Sequence, residues 1–464
     1  MSNGALSELR NKALMKKTLV LMLPIIMQQL ISMGINFFDN IMIGHLGEIQ
    51  ISAVSQSNQF YSLVFYLGMG IGSGAIVMTS QFWGSKDLDS LKQTTSLALK
   101  LSFFIYLAFT LLALFIPGGI LTVFSNDPDV IKAGIPYIRY IGVTFIMAGL
   151  ASTSSYILRS VNSVRVPLIG STVSFFLNIF FNWVFIFGKL GAPEMGIVGA
   201  GVGTLIARSF EFLFIFGHLI LADKRINLRF PDLFRSQSAE IRKNFIHYSI
   251  PLVVSDTSLG VSLALVAVVL GHNGKEVTAA ASIVNTVVQM LSILNMSISG
   301  AAAVVIGNTI GEGDVVRAKK EGNAYVMIAL LLGLVLIIPL LLLEGPYLSL
   351  YSVSDYTRSI AHDCIIVNCF FLPMQMIAFM TSKGILRGGG DTAFLLKWDT
   401  ILIWVVSLPL GALASFVWHL PPFWIYFLLR LEYPSKGLVC LIRFLSGKWI
   451  NVIRIETSET SGPA

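Results

Sequence analysis

Three acidic residues stand in stretches too apolar to hold them without a reason. Asp39 follows Gln28, Gln29 and Asn36 in the first long apolar run. Asp256 sits near the middle of another, and Asp399 lies about a turn and a half into a third. An acid at the centre of a membrane helix costs about 2.5–3.5 kcal/mol on insertion scales, so it should face a cavity or a partner. A carboxylate kept from bulk water can take a proton or a small cation, and its attraction for other cations then changes. Asp39 lies a little over four turns beyond Pro24, on roughly the same side of a helix. Proline frees a backbone carbonyl and permits a bend, which makes Pro24, and Pro251 in the stretch that carries Asp256, the candidate bending points. Plainer readings stay open. Asp39 would also serve as an acid capped by Asn or Lys near the outer mouth, and Asp399 as one that snorkels to Lys397 or Arg387. Asp256 has the position hardest to explain by structure alone.

Asn178 and Asn182 are four residues apart and share a helical face, with Thr204 in the next apolar run. With Asp39 they line one polar cavity, or they act as hydrogen-bonding glue between helices. Glu211 has Arg208 one turn before it, a spacing that suits an internal ion pair.

Other chemistries find no carrier. The glycine run from Gly68 to Gly74 lies in an apolar stretch with no Gly-Lys-Ser/Thr after it, so it reads as close helix packing and not as a phosphate loop. The histidines show no HExxH spacing, and His45 and His272 sit beside turn glycines as structural residues. No metal site is expected beyond a candidate Na⁺ site at Asp39, Asn178 and Thr204. Cys364, Cys369 and Cys440 form neither a disulfide framework nor a zinc motif. No catalytic set stands out, so an enzyme is not expected, and neither is an organic cofactor.

The elements that must position these residues are helices in a bilayer. Of 464 residues, 55% are apolar and 12% charged, with mean hydropathy +0.77. A soluble domain carries about 25% charged residues. Windows of about 19 residues give twelve spans, near 19–43, 59–80, 97–116, 134–157, 166–187, 196–221, 245–270, 281–306, 324–343, 362–382, 394–417 and 421–443. Their length suits helices, because about 10 residues would suffice for a strand. The last is the weakest, since it holds Arg430, Glu432, Pro434 and Lys436. The net charge of +7 reads as basic inner loops and not as a nucleic-acid surface. With the N-terminus inside, the inner segments hold Arg10, Lys12, Lys16 and Lys17, the basic stretch Lys224 to Lys243, and Arg317, Lys319 and Lys320, among others. The outer loops hold only Lys132, Lys189, Lys275 and Arg358. Both termini are therefore expected on the cytoplasmic side of the cell membrane.

The chain also repeats itself. Laid with Pro24 on Pro251, it matches without a gap. Gly44-His45-Leu46-Gly47 falls on Gly271-His272-Asn273-Gly274, and Gly84 and Asp87 fall on Gly311 and Asp314. One further residue of shift puts Leu158-Arg159 on Leu386-Arg387. Each half holds six spans, so the halves share one orientation and should be related by an axis along the membrane normal, as in transporters. The expected fold is an all-α polytopic membrane protein of twelve transmembrane helices in two pseudo-symmetric six-helix lobes. The lobes are residues 1–221 and 244–443, with a cytoplasmic linker at 222–243 and a cytoplasmic tail at 444–464. The chain is expected to act as a monomer.

These residues resemble the multidrug and toxic compound extrusion (MATE) family, in the branch common in Gram-positive bacteria. The resemblance rests on Leu23-Pro24 and on Phe38-Asp39-Asn40-Ile41-Met42-Ile43-Gly44-His45-Leu46-Gly47. It rests further on Gly188 to Gly196, Gly199 to Thr204, Ile250-Pro251, Gly311-Glu312-Gly313-Asp314, and Leu386 to Thr392. It implies export of cationic amphipathic compounds in exchange for H⁺ or Na⁺. It implies that Asp39 is the first-helix acid for cation or proton, Pro24 the bending proline, Asn178 and Thr204 members of the N-lobe ion site, and Asp256 the C-lobe acid. Asn182 departs from members with Asp there, which removes one charge. The tenth-helix acid is missing, as the region reads Leu372-Pro373-Met374-Gln375, and Asp399 is the candidate replacement. A lipid-linked oligosaccharide flippase is the alternative. It would want cationic cavity residues, and of the arginines only Arg139 and Arg208 fall within the expected spans apart from the twelfth.

Overall fold

The computed structural model describes residues 11–455 and contains no strand among them. Eleven helices among the described residues are long and apolar enough to cross a membrane. In chain order the helices are α1 (Lys12–Gly44), α2 (Glu48–Ser85), α3 (Leu88–Phe115), the short α4 (Pro117–Phe124), α5 (Pro128–Ser160), α6 (Arg165–Ile186) and α7 (Ile197–Ala222). The second half follows with α8 (Ala239–Gly271), α9 (Lys275–Gly311), α10 (Val315–Ser349), α11 (Asp355–Leu386), α12 (Thr392–Phe416), α13 (Pro422–Leu429) and α14 (Glu432–Leu445). The twelfth expected span is thus two short helices. They break at Arg430, whose guanidinium donates to the hydroxyls of Tyr426 and Tyr433, 2.8 Å each, and stacks on both rings.

The repeat has physical content. Asp87 caps α3 through the Ser90 amide at 3.0 Å, and its counterpart Asp314 caps α10 through the Arg317 amide at 2.9 Å. Asp127 caps α5, and Ser354, in the same register, caps α11. A cap oxygen satisfies an amide that the first turn leaves unpaired. Gly47 and Gly274 open α2 and α9 with φ of 109° and 102°, a conformation that a side chain resists. His45 and His272, beside them, lie edge-on to Phe187 and Phe416.

Contacts divide the chain into two compact units. One holds Leu23–Val253. The other holds residues 11–22 with Val254–Ile453. The division falls next to Pro24 in α1 and next to Pro251 in α8, and both prolines lie inside unbroken helices. In the N-terminal unit α2 and α5 are the inner helices, and in the C-terminal unit α9 and α11 are, each with two-thirds or more of its apolar window buried. For α10 only 17% of that window is buried, so most of it is left for lipid.

The glycine run of α2 does pack helices closely. A Cβ on Gly70 would stand 2.4 Å from the Val253 Cα, and one on Gly74 would stand 2.7 Å from the Ser249 Cα. On the other face Gly68 and Gly72 admit Tyr106 and Tyr156. Small residues let backbones approach where lipid gives no hydrophobic drive for helix pairing.

The linker is built into the N-terminal unit and does not hang free. Ser96 donates to the Leu233 carbonyl at 3.1 Å, Lys100 to that of Arg235 at 3.0 Å, and Arg235 pairs with Asp89 at 2.8 Å. The early tail is fixed as well. Trp449 is fully buried against Gly389, and the Asn451 amide donates to the Gly389 carbonyl at 2.8 Å. That contact is a reason for the glycines after Arg387, because a Cβ on Gly389 would meet the Trp449 ring at 2.4 Å. Arg10 and residues 456–464 lie outside the described residues.

Candidate functional site

α6 and α7 run side by side in the N-terminal unit, and their facing residues hold Asp39 of α1. Asn178 and Asn182 are buried on one face of α6. The Asn182 amide donates to Asp39 Oδ1 at 2.6 Å and, more loosely, to Asn178 Oδ1 at 3.4 Å. Asn178 in turn donates to Thr204 Oγ1 on α7 at 3.2 Å. The structure therefore brings Asp39, Asn182, Asn178 and Thr204 into one hydrogen-bonded file. The file continues along the same two helices. Ser174 donates to the Ala207 carbonyl at 2.9 Å, and Ser171 to Glu211 at 2.7 Å. Glu211 pairs with Arg208 at 2.7 Å, the internal pair their spacing suggested.

Asp39 is half-buried, and no ion pair involves it among the described residues. Asn182 is fully buried, and its Oδ1 has no hydrogen-bond partner. An unpaired buried acceptor costs free energy, so this oxygen is free to accept a hydrogen bond from a donor placed beside it. Four oxygens surround the file: the Asp39 carboxylate, Asn182 Oδ1, Asn178 Oδ1 and Thr204 Oγ1. These are the oxygens of the candidate Na⁺ site, and with Asn at 182 only one of the four groups is a carboxylate. Gly203 makes the arrangement possible. A Cβ there would stand 2.2 Å from Asn182 Oδ1 and 2.9 Å from its backbone nitrogen. Gly203→Ala should therefore displace Asn182 from Asp39. The expected loss of transport lies between about tenfold and a hundredfold, the range for a misplacement near 1 Å. Drug-efflux rates at unchanged helicity by circular dichroism check it.

The C-terminal unit treats its acids differently. Asp256 has no solvent exposure. Lys383 donates to its Oδ1, and Arg387 contacts both its oxygens at 3.0 and 3.3 Å. Asp399, also buried, meets neither Lys397 nor Arg387 as its sequence context suggested. Lys436 of α14 stands 2.5 Å from Oδ1, and Ser255 of α8 donates to Oδ2 at 2.5 Å. These cations read as inner-loop or last-span charges, yet they lie inside the unit. Local π-helical geometry accompanies them: Met380–Leu386 carries Lys383, and Leu402–Ser407 begins one turn after Asp399. Such segments widen a helix and re-aim its side chains, and they are common at functional sites. Asp391 and Arg443 form a further pair at 2.6 Å, with the guanidinium over Phe394. The Asp39 file and the Asp256–Asp399 cluster belong to separate units. Among the described residues there is no grouping of His, Cys, Asp and Glu suited to a bound metal.

The comparisons agree with this architecture. A family profile described as MatE matches residues 24–184 and 251–413, two segments that begin on Pro24 and Pro251, the residues the repeat places in register. A protein of Halalkalibacterium halodurans named as a probable multidrug resistance protein, NorM, is 24% identical over 454 residues, covering 96% of this chain and 98% of its own. The probable multidrug resistance protein YoeA of Bacillus subtilis is 25% identical over 381 residues, 80% of each chain. Among solved structures, the Vibrio cholerae MATE transporter VcmN in the bent form shares the fold with TM-score 0.83 at 14% identity, covering 95% of this chain and 99% of that one. A MOP superfamily transporter from Pyrococcus furiosus does so with TM-score 0.84 at 18% identity, covering 97% and 99%. With the family profile matched across both halves, on an all-helical multi-pass membrane protein, the chain belongs to the MatE family of transporters.

Proposed function

We propose that this transporter exports cationic amphipathic compounds from the cell by alternating access and that inward H⁺, taken at Asp39, drives the exchange. The multidrug names of its relatives support the substrate class. The single observation that carries the assignment of the coupling acid is the contrast among three acids. Neutralising Asp256 or Asp399 would strand buried cations, Lys383 and Arg387 or Lys436, and a stranded buried charge is costly. Neutralising Asp39 strands one amide N–H of Asn182. Asp39 is thus the acid able to change charge at low structural cost, and the acids of the C-terminal unit act as structural counter-ions.

The file favours a proton over Na⁺. While Asp39 is ionised, Asn182 turns its nitrogen toward it. Once Asp39 is protonated, the acid becomes a donor, and the amide can rotate to present the oxygen that now lacks a partner. A neutral Asp39 no longer attracts a cationic substrate, so proton and drug compete for one charge. Competition alone gives exchange, provided each ligand differs in affinity between the inward- and outward-open states. The buried cations of the C-terminal unit do not favour a carrier of anionic lipid-linked sugars, because Lys383, Arg387 and Lys436 each face an acid.

The test is to reconstitute the protein in liposomes and impose a pH gradient or a Na⁺ gradient separately, following ethidium. The pH gradient is expected to drive transport alone, and transport by Na⁺ alone would overturn the choice of ion. Asn182→Asp restores the second carboxylate. It should confer Na⁺-driven transport at least about tenfold above the native chain, a change of about 1.4 kcal/mol in cation affinity.

A further inference from the structure

The repeat places Arg159 and Arg387 at equivalent positions, near the ends of α5 and α11, and the structure gives both the same task. Each reaches the first helix of its own half about one turn past the repeated proline. Arg387 contacts Asp256, five residues after Pro251. Arg159 donates to Gln28 Oε1, four residues after Pro24. The two tethers differ in one respect. In the C-terminal unit the acceptor is a carboxylate that Lys383 holds as well. In the N-terminal unit it is a neutral amide. No acid pairs with Arg159 among the described residues, and its Nε has no partner. Gln28 is 6% exposed, and its Nε2 is likewise unpartnered. A cation inside a membrane protein that meets an amide oxygen and the Tyr156 ring, but no acid, is expensive. A glutamate at position 28 would satisfy it fully, so the weak contact needs an explanation.

The position of Gln28 on α1 supplies one. Gln28 and Asp39 lie eleven residues apart, three helical turns, and so face the same way. Ile25 and Ile35, on that stripe, are buried in the N-terminal unit. This segment of α1 therefore has one polar tie at its inner end, Gln28–Arg159, and one at its outer end, Asp39–Asn182. Protonating Asp39 loosens the outer tie. Whether the segment then shifts depends on the strength of the inner one. We propose that Gln28 and Arg159 are positioning residues for the exchange: a deliberately weak, single-charge tether that holds α1 in register with Asn182 yet lets it shift when Asp39 is neutralised. The ionic Arg387–Asp256 tether keeps its counterpart α8 fixed. The inference rests on the coupling role of Asp39 proposed above.

The test uses the full chain in proteoliposomes. Gln28→Glu turns the tether ionic. It should slow pH-driven ethidium export about tenfold or more, leave ethidium affinity within about twofold and raise the melting temperature. Gln28→Glu combined with Arg159→Gln moves the single charge to the other partner, and it should recover export to within about threefold of the native rate. Gln28→Met removes the tether without adding charge, and it should lower the protons exchanged per ethidium while ethidium still binds. The proposal is overturned if Gln28→Glu exports at the native rate, if the double variant stays as slow as the single one, or if Gln28→Met keeps native proton exchange. Asp39→Asn, measured alongside, separates the two ideas. If it abolishes proton exchange while the Gln28 variants behave as the native chain, the tether fails and the coupling acid stands. If Asp39→Asn exchanges protons normally, the coupling acid fails.

Discussion

Asp39→Asn should abolish gradient-driven export, by about a hundredfold or more, in a protein that folds as well as the native chain. The asparagine is nearly isosteric. It replaces the acid at the head of the file, while Asn182, Asn178 and Thr204 keep a hydrogen-bonding neighbour. A hundredfold loss corresponds to about 2.7 kcal/mol, which is modest for removing the only charged acceptor facing a buried amide. Stability should hardly change, because Asp39 is half-buried and forms no ion pair among the described residues. The measurement is ethidium export under a fixed pH gradient, with a thermal melt of the same sample.

Asp256→Asn should behave in the opposite way. Its carboxylate is fully buried between Lys383 and Arg387. Removing the charge leaves two cations facing a neutral amide in a medium that cannot solvate them. Breaking a buried pair by removing one partner costs about 3–5 kcal/mol. The expected result is a large fall in melting temperature and in yield, and the molecules that do fold should still couple export to the pH gradient. Combining Asp256→Asn with Lys383→Gln removes the excess charge and should recover part of the loss. A stable Asp256→Asn protein that no longer couples would move the coupling site into the C-terminal unit.

Much of the scaffold could be read from the chain, because in lipid the rules are few. Apolar runs longer than a bilayer's thickness must be helices. The repeat in Gly, Pro and Asp was visible because those residues serve backbone needs: Asp87 and Asp314 as caps, Gly47 and Gly274 at left-handed turns. The Asp39 file was legible for the same reason, since polar residues in apolar helices must meet one another. What could not be read was which polar groups meet in the C-terminal unit. Lys383, Arg387 and Lys436 sit at or near the ends of hydrophobic stretches, where hydropathy cannot tell an interfacial charge from a buried one. The π-helical turn at Met380–Leu386 carries Lys383 among buried residues, and helical periodicity does not foresee it. The Arg159–Gln28 tether did leave a signal, the equivalence of Arg159 and Arg387. The signal became meaningful only once Arg387 was seen on Asp256. The break at Arg430 was foreshadowed by the charges in that span, but the two tyrosines that hold the guanidinium were not.

The most direct test of the account reads the exchange from the proton's side. Proteoliposomes in dilute buffer, loaded with a pH dye and given an ethidium gradient but no pH gradient, should show proton movement opposite to ethidium in the native protein. Asp39→Asn should show none, and the folded fraction of Asp256→Asn should show it at nearly the native ratio. Proton movement that persists in Asp39→Asn at the native ratio would contradict the claim that this one carboxylate links the two fluxes.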